Sequence, residues 1–465
     1  MPSSRFPTIT DIRATLEISL PLILVSLGSV GIGTTDSIML GRLGADALGA
    51  AGLALAIYNL IFLVSHGMLF PVMVLVSHAR GTNRSRTAPR IIRQGLWLAG
   101  ILFLPGFAIL WNLEKILVFT GQDGQLARMA GHYMGYHLWA LLPTLTSSVF
   151  AFALTAMGRG RIIARIVWFQ VGLNIVLDYV LIFGRFGFPA MGMAGAGLAS
   201  VVVMGTGHMI FFILLSFHRF YASGARFHHA WRPRWRIIRR IFQMGWPKAL
   251  ERIAQSGLFA TIALLAGWRF GVEAVASHTI AFQVYIVTHI IVLLSVGNAV
   301  TTHAGIAHGA KDYSGIWRNI NSGLLIGFFA LVPFAAFLKL FSPFVVMLFT
   351  GSDLEARTLL PIASPLLVIV AFFLLVDAPR IITLHALNGL SDMKMPALMM
   401  GLGHWGVSFP TALVFGLAMD LGILGFWWGL TLGMASIGIA YLARFRWLVD
   451  RLSTDVQGNG RCAGK

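Results

Sequence analysis

Twelve separate runs of this chain are each apolar and long enough to cross about 30 Å of hydrocarbon, and nothing else in the sequence constrains the fold as strongly. They lie at roughly 14–39, 47–77, 91–112, 129–156, 162–184, 191–217, 240–267, 277–304, 319–345, 358–387, 395–418 and 422–445. Of the 465 residues 57% are hydrophobic and only 11% charged, and the mean hydropathy is +0.79. Ordinary soluble domains carry about 25% charged residues. A soluble core cannot hide so much apolar surface, which argues against a large soluble enzyme. The runs are continuous blocks, without the alternation at every second residue that a transmembrane β-barrel needs. The expected fold is an all-α polytopic membrane protein with twelve transmembrane helices.

The net charge of +18 and the pI of about 11.1 would suit a nucleic-acid binder, but the placement of the charges does not. They fall in short clusters between apolar runs, with no basic stripe interleaved with exposed aromatics, so no nucleic-acid partner is expected. Twelve spans put both termini on one side. On that side lie 26 of the 35 Lys and Arg; seven lie opposite (Arg42, Lys115, Arg128, Arg185, Arg269, Lys339, Arg357) and two, Arg252 and Arg380, within spans. The positive-inside rule then makes both termini cytoplasmic. Arg5 and Arg13 precede the first run as in a signal peptide, yet the run outlasts a signal core and shows no small-residue cleavage site. It reads as an uncleaved first span. The single cysteine, Cys462, excludes a disulfide or a cysteine metal site.

The chain repeats itself. "LGRLGADALGAAGLALAIYNL" after span 1 aligns with "LAGWRFGVEAVASHTIAFQVY" after span 7, pairing Asp46 with Glu273 and Tyr58 with Tyr285. "VFTGQD" at 118–123 matches "LFTGSD" at 348–353, and "AMGRGR" at 156–161 matches "LNGLSD" at 387–392. Six spans separate the copies, so the halves have the same orientation, as in transporters built from parallel repeats. The expected division is an N-lobe at 1–217, a basic cytoplasmic linker at 218–240, a C-lobe at 241–450 and a cytoplasmic tail at 451–465. Such pseudo-symmetric six-helix lobes suit a transporter that rocks one against the other.

An acid at the centre of a spanning helix costs about 2.5–3.5 kcal/mol to insert and usually faces a bundle interior or a wet cavity. Asp36 in span 1 and Asp178 in span 5 are such acids, and neither has a basic neighbour within a helical turn. In "LNIVLDY", Asn174 and Asp178 are four residues apart and share one helix face. Amide and carboxylate stacked this way can hold a small hard cation or relay a proton; the plainer alternative for Asp178 is a structural hydrogen bond near the outer surface. Asp377 and Arg380, three residues apart in span 10, can neutralise each other, which favours a structural role. Glu251 and Arg252 follow Pro247 by less than two turns, where snorkelling to the interface is cheap. His66, His137, His278, His289, His385 and His404 read individually as packed or hydrogen-bonded groups, and their spacing shows no zinc pair.

"GLGHWG" at 401–406 fits a dinucleotide fingerprint but lies inside span 11 with no preceding strand, so it carries no such meaning. The 51 glycines read as close helix packing, as in "GLLIG" at 323–327 and "GLTLG" at 429–433. Pro21 and Pro247 occupy matching places in spans 1 and 7 and suggest paired kinks. No P-loop is present, so ATP is not the expected fuel.

The stretches "TTDSIMLGRLGADALGAAGLA", "AMGRGRIIARIVWFQVGLNIVLDYVLIFG", "GMAGAGLAS" and "LHALNGLSDMKMPAL" together resemble the multidrug and toxic compound extrusion (MATE) family, over essentially the whole chain. The resemblance implies two six-helix lobes of the MATE/MOP fold in a bacterial inner membrane. It also implies a monomer among membrane lipids that exports small organic cations, antibiotics included, coupled to H+ or Na+ and with no further cofactor. It assigns Asp36 to the family's span 1 acid, Asn174 and Asp178 to the span 5 polar pair, Ser200 to the span 6 hydroxyl, and Asp377 to the span 10 acid of the NorM-like branch. The usual span 7 acid is replaced by Gln255, which puts a C-lobe sodium site in doubt, although Glu251 one turn earlier can compensate. The expected coupling site is therefore in the N-lobe, with Na+, if bound, at Asp36, Asn174 and Asp178. A proton, a sodium ion and a cationic drug would compete for it, against a lining of adaptable aromatic and Met side chains. The alternative function is a lipid-linked precursor flippase of the same superfamily, whose cavity would need several arginines. A membrane scaffold, the more distant alternative, would not need unpaired buried carboxylates.

Overall fold

The computed structural model describes residues 6–217, 231–351 and 354–462, and the described residues contain no strand. Twelve helices are long and apolar enough to cross a membrane. Spans 1–6 are Ile9–Gly41, Ala45–Gly81, Ala88–Trp111, Gly124–Ala156, Gly160–Phe183 and Met193–Ser216. Spans 7–12 are Trp235–Phe270, Val272–Ala310, Tyr313–Thr350, Thr358–Gly389, Lys394–Ala418 and Gly422–Thr454. Every one of the twelve apolar runs becomes a helix, so the protein is an all-α, multi-pass membrane protein of twelve spans. Its outward side chains fit a lipid solvent: Leu264 is 75% exposed, and Phe329, Leu340 and Ile439 are 71% exposed.

The repeat is written in the backbone as well as in the letters. Span 2 starts directly after Gly44 (φ 124°) and span 8 directly after Gly271 (φ 82°). Gly121 (φ 85°) and Gly351 (φ 75°), the glycines of "VFTG" and "LFTG", both take left-handed conformations that cost glycine nothing sterically. Helical structure also begins earlier than the apolar run suggests. Span 7 starts at Trp235, within the stretch expected as linker, because Gln94 of span 3 holds the turn before it: its Oε1 accepts the Arg234 N–H at 2.7 Å. Residues 218–230 of that expected linker lie outside the described residues, as do 463–465 of the expected tail; the helix of span 12 runs on to Cys462.

The chain divides into two compact units. The first unit is Pro21–Ala249. Its core is built from side chains with no exposed surface, among them Val72, Val74, Met134, Leu141, Leu145 and Val149. A Cβ at Gly95 would press on Val72 and Val149, so span 3 packs tightly there. Span 4 is started by Asp123, whose Oδ1 accepts the N–H groups of Gln125 at 2.9 Å and Leu126 at 3.0 Å. The bonds from Leu126 and Gln125 hold the Asp123 carboxyl below the ordinary carboxylate range.

The second unit is Leu250–Lys465 together with Met1–Leu20. The start of span 1 is tied into it by Arg318, whose Nε lies 3.4 Å from Asp11 Oδ2, and by His303 Nε2, 3.3 Å from the Ala14 carbonyl oxygen. Phe373, Phe426, Trp427, Tyr441 and Phe445 are fully buried in its core, and the Trp427 indole donates to His278 Nδ1 at 3.2 Å. The glycine stripes serve close packing, as expected: a Cβ at Gly429 would collide with the Ala412 backbone, at Gly433 with Ser408, and at Gly323 with Val300.

Candidate functional site

In the first unit, span 1 carries "GTTDS" past Pro21. The hydroxyls beside the acid are committed to their own helix: Thr35 donates to Gly31 O at 3.0 Å and Ser37 to Gly33 O at 2.8 Å. Asp36 is thus the group in that turn left to reach away from the helix. Span 5 meets it with Gln170, Asn174 and Asp178, spaced four apart on one buried face.

Asn174 joins the two acids. Its Nδ2 donates to Asp36 Oδ1 at 2.9 Å and to Asp178 Oδ2 at 3.1 Å, and the two carboxyl groups are themselves within hydrogen-bonding reach. Asn174 and Asp178 are fully buried and Asp36 is 9% exposed. Among the described residues no Lys or Arg forms an ion pair with either acid, and Asn174 Oδ1 and Asp178 Oδ1 have no hydrogen-bond partner. A buried acceptor oxygen normally has a donor or a cation beside it. Two carboxyl groups and an amide oxygen with open lone pairs are chemically able to accept a proton or a hard cation. Ser200 is buried too, but its hydroxyl donates to Ala196 O at 3.1 Å rather than to the acids.

Two neighbours escaped the sequence reading as site residues. Tyr133 in span 4 is fully buried, and its hydroxyl lies 3.1 Å from His137 Nδ1. Gln170, one turn before Asn174, is anchored by its Nε2 to Val203 O at 3.0 Å. The four-residue spacings Tyr133–His137 and Gln170–Asn174 were visible in the letters, but uncharged groups in apolar helices give no signal until the packing shows what they touch.

The second unit has its own buried polar cluster. Arg380 Nε donates to Asp377 Oδ1 at 2.6 Å, so the pair spaced three apart does neutralise itself, with both side chains fully buried. The other carboxylate oxygen of Asp377 accepts from Tyr285 OH at 3.3 Å and lies 3.4 Å from His289 Nδ1. Gln255, in place of an acid, donates its Nε2 to Tyr285 OH at 3.3 Å and so joins the cluster. Glu251 does not snorkel: only 2% of it is exposed, since span 7 extends well before it and holds it inside the helix bundle. The other histidines are mostly held as expected, with His66 3.3 Å from Ser148 Oγ and His385 2.9 Å from Thr301 Oγ1. His404 is also fully buried, but neither of its ring nitrogens has a hydrogen-bond partner among the described residues.

The two clusters therefore differ in kind. The second unit's acid already holds an internal cation. The first unit's acids do not.

The sequence model of the MatE family matches the chain twice, over residues 21–180 and 247–414, once in each half. The chain is 31% identical over 461 residues to a probable multidrug resistance protein NorM of Agrobacterium fabrum, covering 97% of each. It is 33% identical over 453 residues to the protein of the same description from Rhizobium meliloti, covering 96% of this chain and 95% of the relative. Among solved structures, a MOP superfamily transporter from Pyrococcus furiosus superposes with a TM-score of 0.87 at 20% identity, covering 95% of this chain and 97% of the other. A multidrug resistance MATE family transporter of the MOP superfamily in an outward-facing conformation gives 0.86 at 21% identity, covering 95% and 96%.

Proposed function

The chain belongs to the MatE family, and from that premise we propose that it is a secondary active multidrug exporter. In this reading it moves organic cations out of the cell in exchange for H+ or Na+, by alternating access of its two lobes. The observation that carries the reading is the Asp36–Asn174–Asp178 cluster: two buried acids bridged by one amide, with acceptor oxygens left open and no basic partner.

Two ionised carboxylates at that spacing repel strongly in a medium of low dielectric constant, and a positive charge between them relieves the repulsion. A proton, a sodium ion or the ammonium of a substrate can supply it, but these exclude one another. Entry of the coupling ion from outside would then displace a bound organic cation outward and reset the site. A one-for-one exchange of monovalent cations moves no net charge, so the coupling ion's concentration gradient drives it, and each tenfold gradient contributes about 1.4 kcal/mol. The surplus of basic residues on the terminus side supports an inner-membrane protein with both ends in the cytoplasm. A flippase of lipid-linked precursors would need free guanidinium groups for a pyrophosphate. Of the two arginines within spans, Arg380 is already held by Asp377.

The deciding experiment is ethidium or fluoroquinolone efflux in proteoliposomes, with a sodium gradient and a pH gradient imposed separately. At least one of the two gradients should drive efflux on its own and so identify the coupling ion, and Asp36→Asn should abolish that efflux while leaving membrane expression intact. Undiminished efflux by Asp36→Asn would remove Asp36 from the mechanism.

A further inference from the structure

The first unit distributes its charge unevenly. It contains five acids: Asp36 and Asp178 are buried in the cluster above, and Asp46, Glu114 and Asp123 belong to the connections after spans 1 and 3. The opposite end, formed by the connections after spans 2, 4 and 6, holds arginines at 80, 84, 86, 90, 93, 159, 161 and 165 and again at 232, 234, 236, 239 and 240, with no acid among them. In the second unit, two basic groups at the corresponding end have acidic partners: Arg444 Nε lies 2.8 Å from Asp392, and Arg318 reaches both Asp11 and Asp312 at 3.4 Å. Among the described residues no ion pair involves Arg236, Arg239 or Arg240. All three are exposed to the surroundings of the protein.

These three arginines line a groove of about 910 Å³. Arg236, Arg239 and Arg240 stand three and four apart on one face at the start of span 7, and Leu98, Ile101, Trp235, Ile238 and Phe242 supply an apolar wall. The groove is built rather than accidental. Gln94, only 2% exposed, accepts the Arg234 N–H at 2.7 Å and turns its Nε2 to Arg232 O at 3.4 Å. The Trp97 indole donates to Trp231 O at 2.8 Å. Span 3 thereby clamps the turn that aims the arginines, and Trp97, Trp231, Trp235 and Trp246 are all partly exposed around it, as aromatic side chains are at a membrane–water interface.

We propose that this groove binds an anionic phospholipid, its phosphate between Arg236, Arg239 and Arg240 and an acyl chain along Leu98, Ile101 and Phe242. Guanidinium groups match phosphate oxygens in paired hydrogen bonds. Basic pockets between spanning helices are where anionic headgroups settle. Neither free phosphate nor nucleic acid would use the apolar wall, which is why the occupant is a lipid.

The test is binding of fluorescently labelled phosphatidylglycerol to the purified full-length protein in phosphatidylcholine nanodiscs. The wild type should take up phosphatidylglycerol in preference to labelled phosphatidylcholine. The combined change Arg236→Gln, Arg239→Gln and Arg240→Gln should weaken that binding about a hundredfold, from roughly fivefold per lost basic group. All three groups are exposed, so the fold should survive, and replacing them by Lys should restore most of the affinity. Phe242→Ser should weaken phosphatidylglycerol binding without changing the affinity for soluble glycerol phosphate. Wild-type affinity in the triple Gln variant, or equal uptake of phosphatidylcholine, would overturn the proposal. So would competition by a DNA oligomer that Phe242→Ser leaves unaltered, since that would mark a nucleic-acid surface. None of these outcomes depends on transport, so the exporter reading is tested separately.

Discussion

Asn174 is the one side chain that joins the two acids of the first unit among the hydrogen bonds of the described residues. It donates to both acids from full burial, and each hydrogen bond to a charged group contributes about 1.5–3 kcal/mol. Asn174→Leu, close in volume, should therefore leave two carboxyl groups without their donor and reduce efflux at least tenfold, measured in the same proteoliposomes. Efflux within twofold of wild type would mean that the acids do not need to be held together. Asp377 tests the opposite logic. Removing one partner of a buried ion pair costs about 3–5 kcal/mol, whereas replacing both is often nearly neutral. Asp377→Asn should lower the melting temperature markedly yet impair efflux less than Asp36→Asn, and adding Arg380→Met should recover most of the lost stability. If Asp377→Asn instead stops efflux at an unchanged melting temperature, the coupling site belongs to the second unit.

At the scale of elements, lipid offers no hydrophobic reward for bringing helices together, so close packing of small residues has to do it. The stripe Gly429–Gly433 of span 12 illustrates this, pressed against Ala412 and Ser408 of span 11. Gly429→Val places new carbons where the Ala412 backbone already is, and should reduce the amount of folded protein recovered from membranes severalfold. Gly401→Ala, with nothing within 4 Å of the added Cβ, should leave recovery unchanged on size-exclusion chromatography. Equal recovery of the two variants would show that the contact relaxes freely. The "GLGHWG" stretch belongs here as well: its Gly403 lies against Ile437, which makes it a packing glycine in a helix and not a phosphate loop.

For the molecule as a whole, sidedness follows from counting: 26 basic residues against seven should keep both termini in the cytoplasm. Cys462 is the single cysteine, so a membrane-impermeant maleimide should label the protein only after the cells are permeabilised; labelling of intact cells would reverse the topology. The number of spans and the duplicated halves were legible in the letters, because a 30 Å apolar solvent imposes minimum run lengths; the helices themselves run past the apolar runs, by six residues at the start of span 9 and nine at the end of span 12. The same cost of burying charge made Asp36, Asp178 and Asp377 visible as candidates, since an acid in an apolar run has to be answered by something. What answers each of them was not legible. That Asn174 bridges two acids 142 positions apart in the chain, that Gln255 reaches Asp377 only through Tyr285, and that span 7 starts at Trp235 under the hold of Gln94 are decided by which helix faces meet. Hydrophobicity acts on each residue where it stands in the chain, so it can be read one letter at a time. Hydrogen bonds between helices act only at contact, and contact exists only once the bundle has packed.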